Sequence, residues 1–162
     1  MTTKPQGLDH SGAHGAEPTG SVVIFTDITE EALEPLAAAA KAQAMTEAMG
    51  ALVVFDGIVR NHDHGSAVRG LSYSAHPQAK EYIARVVQSV ADELEGVRLW
   101  AVHRVGPIAI GESALTVLAA AAHRGRAFEA CEAVADHVKA QVPIWKEQEL
   151  TDGSTEWVGI DT

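Results

Sequence analysis

The sequence holds a single cysteine, Cys131, so no internal disulfide framework braces the fold. It has no apolar run near the roughly 18 residues that a membrane-spanning helix requires. The first residues lack the basic-then-apolar pattern of a secretory signal, and a cytoplasmic protein is the expectation. Positive charge is also scarce, with 12 Lys and Arg against 22 Asp and Glu and a net charge of −10. That balance speaks against a nucleic-acid partner, whose affinity would rest on basic surface contacting phosphates. A small anionic ligand stays open, because it needs only a local cationic pocket. No glycine-rich phosphate loop joins a strand to a helix, which disfavours Rossmann and P-loop folds.

What is present, over 162 residues, suits one domain with a tail and a core large enough to stand without cross-links. Residues 1–20 mix Gly, Pro and polar side chains with no aromatic or β-branched aliphatic residue, and they read as a disordered N-terminal tail; 21–162 form the domain. Ser21 to Ile28 is β-rich and reads as a strand. Thr29 with Glu30 and Glu31 reads as a helix start, and Gly50 as the end of that helix. Ala51 to Arg60 is the clearest strand, with a bulge expected at Gly57 and a turn-rich loop, Asn61 to Ala67, after it. Val68 to Ser74 resumes as an antiparallel strand. Pro77 opens a helix whose apolar positions, from Ala79 to Leu94, keep the i, i+3, i+4 spacing until Gly96. Val97 to Val105 is a strand, Gly106, Pro107 and Gly111 a turn, and Ser113 to Ala122 a further strand. A long helix follows, and Pro143 ends it. Ile144 to Leu150 and Glu156 to Ile160 then flank an Asp152-Gly153 hairpin signal. The class is α+β.

The long helix draws attention because cations cluster around it in the sequence. Phe128, Cys131, Val134, Ala135 and Val138 form its apolar stripe, and Glu129, Glu132, Asp136 and Lys139 its wet face. His123 and Arg124 stand at its start, where unpaired N–H groups favour an anion, and Lys139 and Lys146 flank its far corner. Arg60 and Arg104 also lie at strand ends, where binding residues concentrate. Each alone is more often a solvated surface charge, and the three acids on the helix offer ion-pair partners. His62-Asp63-His64 invites a zinc reading, but no HExxH or cysteine pair supports it, and solvated loop histidines are the simpler account. Cys131 on the buried stripe reads as a small hydrophobe rather than a nucleophile.

Four motifs together resemble a known family: Phe55-Asp-Gly-Ile-Val-Arg-Asn-His62, Val102-His-Arg-Val-Gly106, Ala122-His-Arg124 with Ala127-Phe-Glu-Ala130, and Lys139 followed by Pro143-Ile-Trp-Lys146. They occur in the order seen in the large, catalytic subunit of molybdopterin synthase, the MoaE family, and the likeness runs from about Ser21 to Gly159. The resemblance implies an α/β-hammerhead domain with an additional small antiparallel β-sheet. It implies a homodimer that carries a small ubiquitin-like sulfur-carrier subunit on each protomer, a heterotetramer. The carrier's Gly-Gly tail, as a thiocarboxylate, supplies sulfur to cyclic pyranopterin monophosphate, with no metal or organic cofactor. Matched residue by residue, Lys139 and Lys146 take the catalytic positions, and Arg60, His123 and Arg124 the substrate-binding ones. Arg104 joins them from the cationic set. The resemblance further implies a pocket shared across the dimer. Two other readings are a non-catalytic dimeric scaffold for a ubiquitin-like partner and a metal-dependent hydrolase using His62, Asp63 and His64.

Overall fold

The computed structural model describes residues 19–63 and 65–159. Nearly all of the expected tail, and His64, lie outside them. Twelve elements follow in order: β1 (Val22–Thr29), α1 (Leu33–Ala44), β2 (Ala51–Ile58), β3 (His62–Asp63), β4 (Ser66–Ala75), α2 (Ala79–Glu93), β5 (Arg98–Arg104), β6 (Gly106–Ile108), β7 (Ser113–Ala121), α3 (Arg124–Gln141), β8 (Ile144–Leu150) and β9 (Thr155–Val158). The α+β class holds, with a four-stranded main sheet and a second, antiparallel sheet of five strands among the described residues.

The main sheet has the order β1-β5-β7-β2, parallel between β1 and β5 and antiparallel elsewhere. All nine residues of β7 are buried, because helices cover both faces. On one face α2 and α3 pack against Leu99, Ala101, Leu115, Val117, Ala119 and Ala121. On the other, Leu33, Ala37 and Ala40 of α1 meet Trp100, Val102 and Leu118. The split follows the two-residue alternation of a strand, which sends neighbouring side chains to opposite faces. The second sheet is antiparallel, in the order β3-β4-β8-β9, and β6 pairs with β4 at Leu71–Tyr73.

Several boundaries differ from the sequence reading for local reasons. Thr29 ends β1, and its Oγ1 accepts the Glu31 amide at 3.1 Å, so the acidic pair lies in a turn. Helix α1 starts at Leu33, which puts Pro35 in the first turn, where its missing N–H costs no helical bond. Gly50 is not a helix end, since α1 stops at Ala44. A Cβ at Gly50 would collide with the carbonyl oxygen of Ala122, and the Gly50 amide bonds Ala121 O at 3.1 Å. The bulge at Gly57 is present as a register shift between Gly57 and Ile58. Helix α2 begins at Ala79, after a turn in which the Ala79 amide bonds His76 O at 2.9 Å, two residues later than Pro77 suggested. Gly106 and Pro107 belong to β6, which leaves the turn to Ala109–Glu112.

The apolar stripe of α3 is also rotated from its expected position. Ala127, Ala130, Cys131, Val134, Ala135 and Val138 are buried, whereas Phe128 is 59% exposed. Burial pushes the Cys131 thiol up to about 11, in keeping with a small core hydrophobe. At Gly50 the crowding is against backbone, which cannot swing aside, so Gly50→Ala is expected to cost about 2 kcal/mol or more. The denaturant midpoint of the variant measures this.

Candidate active site

Helix α3 fixes the cations by its length. His123 is its N-cap, in extended conformation, and Val142 its C-cap, with Pro143 turning the chain into β8. Lys139 lies in the last turn, where a positive charge suits the helix dipole. At a rise of 1.5 Å per residue, the fifteen steps from Arg124 to Lys139 place them about 22 Å apart along the axis. One protomer therefore holds its cations in two groups at opposite ends of α3. His123, Arg124 and Lys139 are all exposed, and among the described residues none has an ion pair. Of the acids expected to pair on this helix, Glu129 alone does so among the described residues, at 4.0 Å from Arg126.

At the C-terminal end of α3 the second sheet assembles the other group. β8 runs antiparallel to β4, with Tyr73 opposite Lys146. The Lys146 Nζ donates to Asp63 Oδ2 at 2.8 Å, and the Arg60 guanidinium reaches Asp63 Oδ1 at 3.4 Å. Asp63 is buried, so its carboxylate is an anchor within a cationic set rather than a solvated charge. Arg60 is held at the end of β2 by its neighbour: the Val59 amide bonds Glu112 O at 2.9 Å, and Gly111 donates back to Val59 O at 2.7 Å. Beneath Lys146, the Tyr73 ring meets His103 edge-on, with centroids 4.9 Å apart. Burial, and then the Asp63 charge, raise the Tyr73 hydroxyl above its ordinary value.

Arg104 is placed differently from the rest of the set. Its guanidinium pairs with Glu112 at 3.0 Å on a side chain only 14% exposed, and the Nε finds no acceptor among the described residues. The Glu112 carboxyl is held below its usual range, first by the hydrogen bond from Arg104. Arg104 thus clamps the Ala109–Glu112 turn in this structure. The sequence reading missed Asp63 as a cation partner and considered it only as a metal ligand. Among the described residues no three His, Cys, Asp or Glu side chains converge as metal ligands, and His64 lies outside them.

Comparison with known proteins adds to this geometry. The model of the family described as MoaE protein matches residues 28–141. The chain belongs to the MoaE family. It is 38% identical over 111 residues to molybdopterin synthase catalytic subunit 1 of Mycobacterium tuberculosis, covering 68% of this chain and 75% of that protein. The structure resembles molybdopterin synthase from Staphylococcus aureus with a TM-score of 0.75 and 30% identity, over 82% of this chain and 95% of that one. It also resembles a chain from the protein-protein complex of subunits 1 and 2 of molybdopterin-converting factor from Helicobacter pylori. There the TM-score is 0.65 and the identity 27%, over 84% of this chain and 90% of that one. The relatives place this MoaE chain among enzymes of molybdopterin biosynthesis.

His103 gives the site region a pH dependence. Burial lowers it to about 4, so it is neutral at pH 7 with Nδ1 donating to Arg104 O at 2.7 Å. Below about pH 6.5 the unfolded chain takes up a proton that the folded chain refuses until about pH 4, so stability falls with acidification across that window. The slope from this residue is up to about 1.4 kcal/mol per pH unit. Denaturant midpoints at several pH values, for wild type and His103→Gln, measure it; the variant's curve is expected to be flatter between pH 6.5 and 4.

Proposed function

We propose that this MoaE-family protein is the catalytic subunit of a molybdopterin synthase, taking sulfur from the C-terminal thiocarboxylate of a small ubiquitin-like subunit and giving it to cyclic pyranopterin monophosphate. The observation that carries the reading is the pairing of Lys146 and Arg60 around buried Asp63, with Lys139, which has no ion pair among the described residues, in the last turn of α3 just before the chain turns into β8. Both reactants are anionic, and a protein of net charge −10 must concentrate positive charge to hold them.

In this reading the partner's tail lies beside Lys139. The thiocarboxylate sulfur displaces an oxygen substituent from a side-chain carbon of the pterin substrate, forming a thioester as that oxygen leaves. Water then attacks the thioester carbonyl, breaks the acyl C–S bond and returns the tail as a carboxylate with the sulfur left on the pterin. The Lys139 ammonium pairs with the anionic thiocarboxylate before its sulfur reacts, and it stabilises the oxyanion that forms at the acyl carbon when water attacks the thioester. Arg60 offers a planar fork to the cyclic phosphate, and Lys146, the second catalytic lysine, offers a point charge to the reacting centre. Two transfers complete the dithiolene.

His123 and Arg124, about 22 Å away along α3, reach such a pocket only from a second copy. A homodimer supplies one. β2 is an edge strand of the main sheet, and Val54, Phe55, Ile58 and Phe128 are exposed on or beside it, an apolar edge of the kind that self-association covers. A groove of about 310 Å³ between β2 and α3 runs along the same surface. With one carrier on each protomer, the assembly is a heterotetramer.

The test is reconstitution: this protein, a thiocarboxylated small subunit and cyclic pyranopterin monophosphate, with molybdopterin followed as its fluorescent oxidised derivative. Wild type is expected to form product. Lys139→Ala is expected to lose at least about a hundredfold in rate while staying folded and partner-bound. A stable complex that makes no product would favour the scaffold reading instead.

A further inference from the structure

We infer that Asp63 is a positioning residue for the sulfur-transfer reaction, holding the Lys146 ammonium in place while leaving Arg60 loose enough to move onto the substrate's phosphate. The inference rests on the functional reading above. Charge raises the question first, since a carboxylate is the wrong sign to meet two anionic reactants. Its presence among the cations calls for another role.

Among the described residues, the contacts of Asp63 with Lys146 and Arg60 are unequal. Lys146 donates at 2.8 Å, and the two side chains are 21% and 10% exposed, so water competes little for this pair. Arg60 lies at 3.4 Å with its side chain 64% exposed, a contact that solvent screens and an incoming anion readily replaces. The firm contact also bridges 83 residues, tying β3 to β8. A lysine ammonium otherwise moves on four rotatable bonds, and their rotamer entropy opposes any single placement. Pairing between Tyr73 and Lys146 fixes only the backbone of that residue. Asp63 fixes its tip. The free protein thus holds Lys146 ready before substrate arrives, with Arg60 as the mobile arm.

This division predicts a split in the kinetics. Asp63→Asn keeps the shape and removes the charge, and it is expected to lower kcat at least about tenfold, because a misplaced group loses transition-state contact. KM for cyclic pyranopterin monophosphate is expected to stay equal or fall, since Arg60 loses a competitor for phosphate. Asp63→Glu restores the carboxylate and is expected to recover part of kcat. A kcat within twofold of wild type for Asp63→Asn, or a loss confined to a higher KM, would overturn the assignment. If Asp63→Asn does not fold, the wild type alone decides: the Lys146 ammonium resonance in 15N-edited NMR is expected to exchange with water more slowly than that of exposed Lys41, and equal exchange overturns the assignment. Wild-type protein that makes no product fails the functional reading itself and takes this role with it. Active wild type beside an undiminished Asp63→Asn removes only the role of Asp63.

Discussion

The structure depends on β7, the strand with nine consecutive buried residues. Four alanines keep it thin enough for helices to approach from both faces, so the main sheet becomes the middle layer of three. Because α3 follows β7 after a turn of two residues, its start is pinned at the end of the sheet where Gly50 passes the Ala122 carbonyl. Its far end is then pinned by its own length. One buried strand thus decides where the cations at both ends of α3 can be.

The second sheet completes the arrangement at the far end. Pro143 ends α3 and releases β8 into pairing with β4, which sets Lys146 opposite Tyr73 and within reach of Asp63. The acidic character of the whole protein and the cationic character of this corner are consistent, because a field is local within roughly a Debye length. Arg104 and His103, adjacent at the end of β5, serve the support: one clamps a turn, and the other is a neutral buried ring against Tyr73.

Much of this was legible in the residues. The four-turn apolar spacing of α2 marks it as a core helix, and the cations at element ends mark the site region. Phe128 misled because helical period alone does not say how wide the buried stripe is; small Ala127 and Ala130 face the sheet and leave the ring outside. The role of Asp63 was hidden because its firm contact lies 83 residues away, while its sequence neighbours are histidines that suggest a metal. The separation of Arg124 from Lys139 was available by counting, since a continuous helix converts residue number into distance. Treating α3 as one gathering point for charge overlooked its length.

In the proposed assembly the pocket is built from two copies, one giving Lys139 and Lys146 and the other His123 and Arg124. The most direct measurement mixes Lys139→Ala protein with Arg124→Ala protein, lets protomers exchange, and assays molybdopterin formation against each variant alone. A mixed dimer then contains one doubly damaged pocket and one intact pocket. With random exchange the account predicts recovery to about a quarter of wild-type activity from two nearly inactive variants. Activity that stays at the level of the separate variants, with exchange verified, would contradict it and return both groups of cations to separate roles within one protomer.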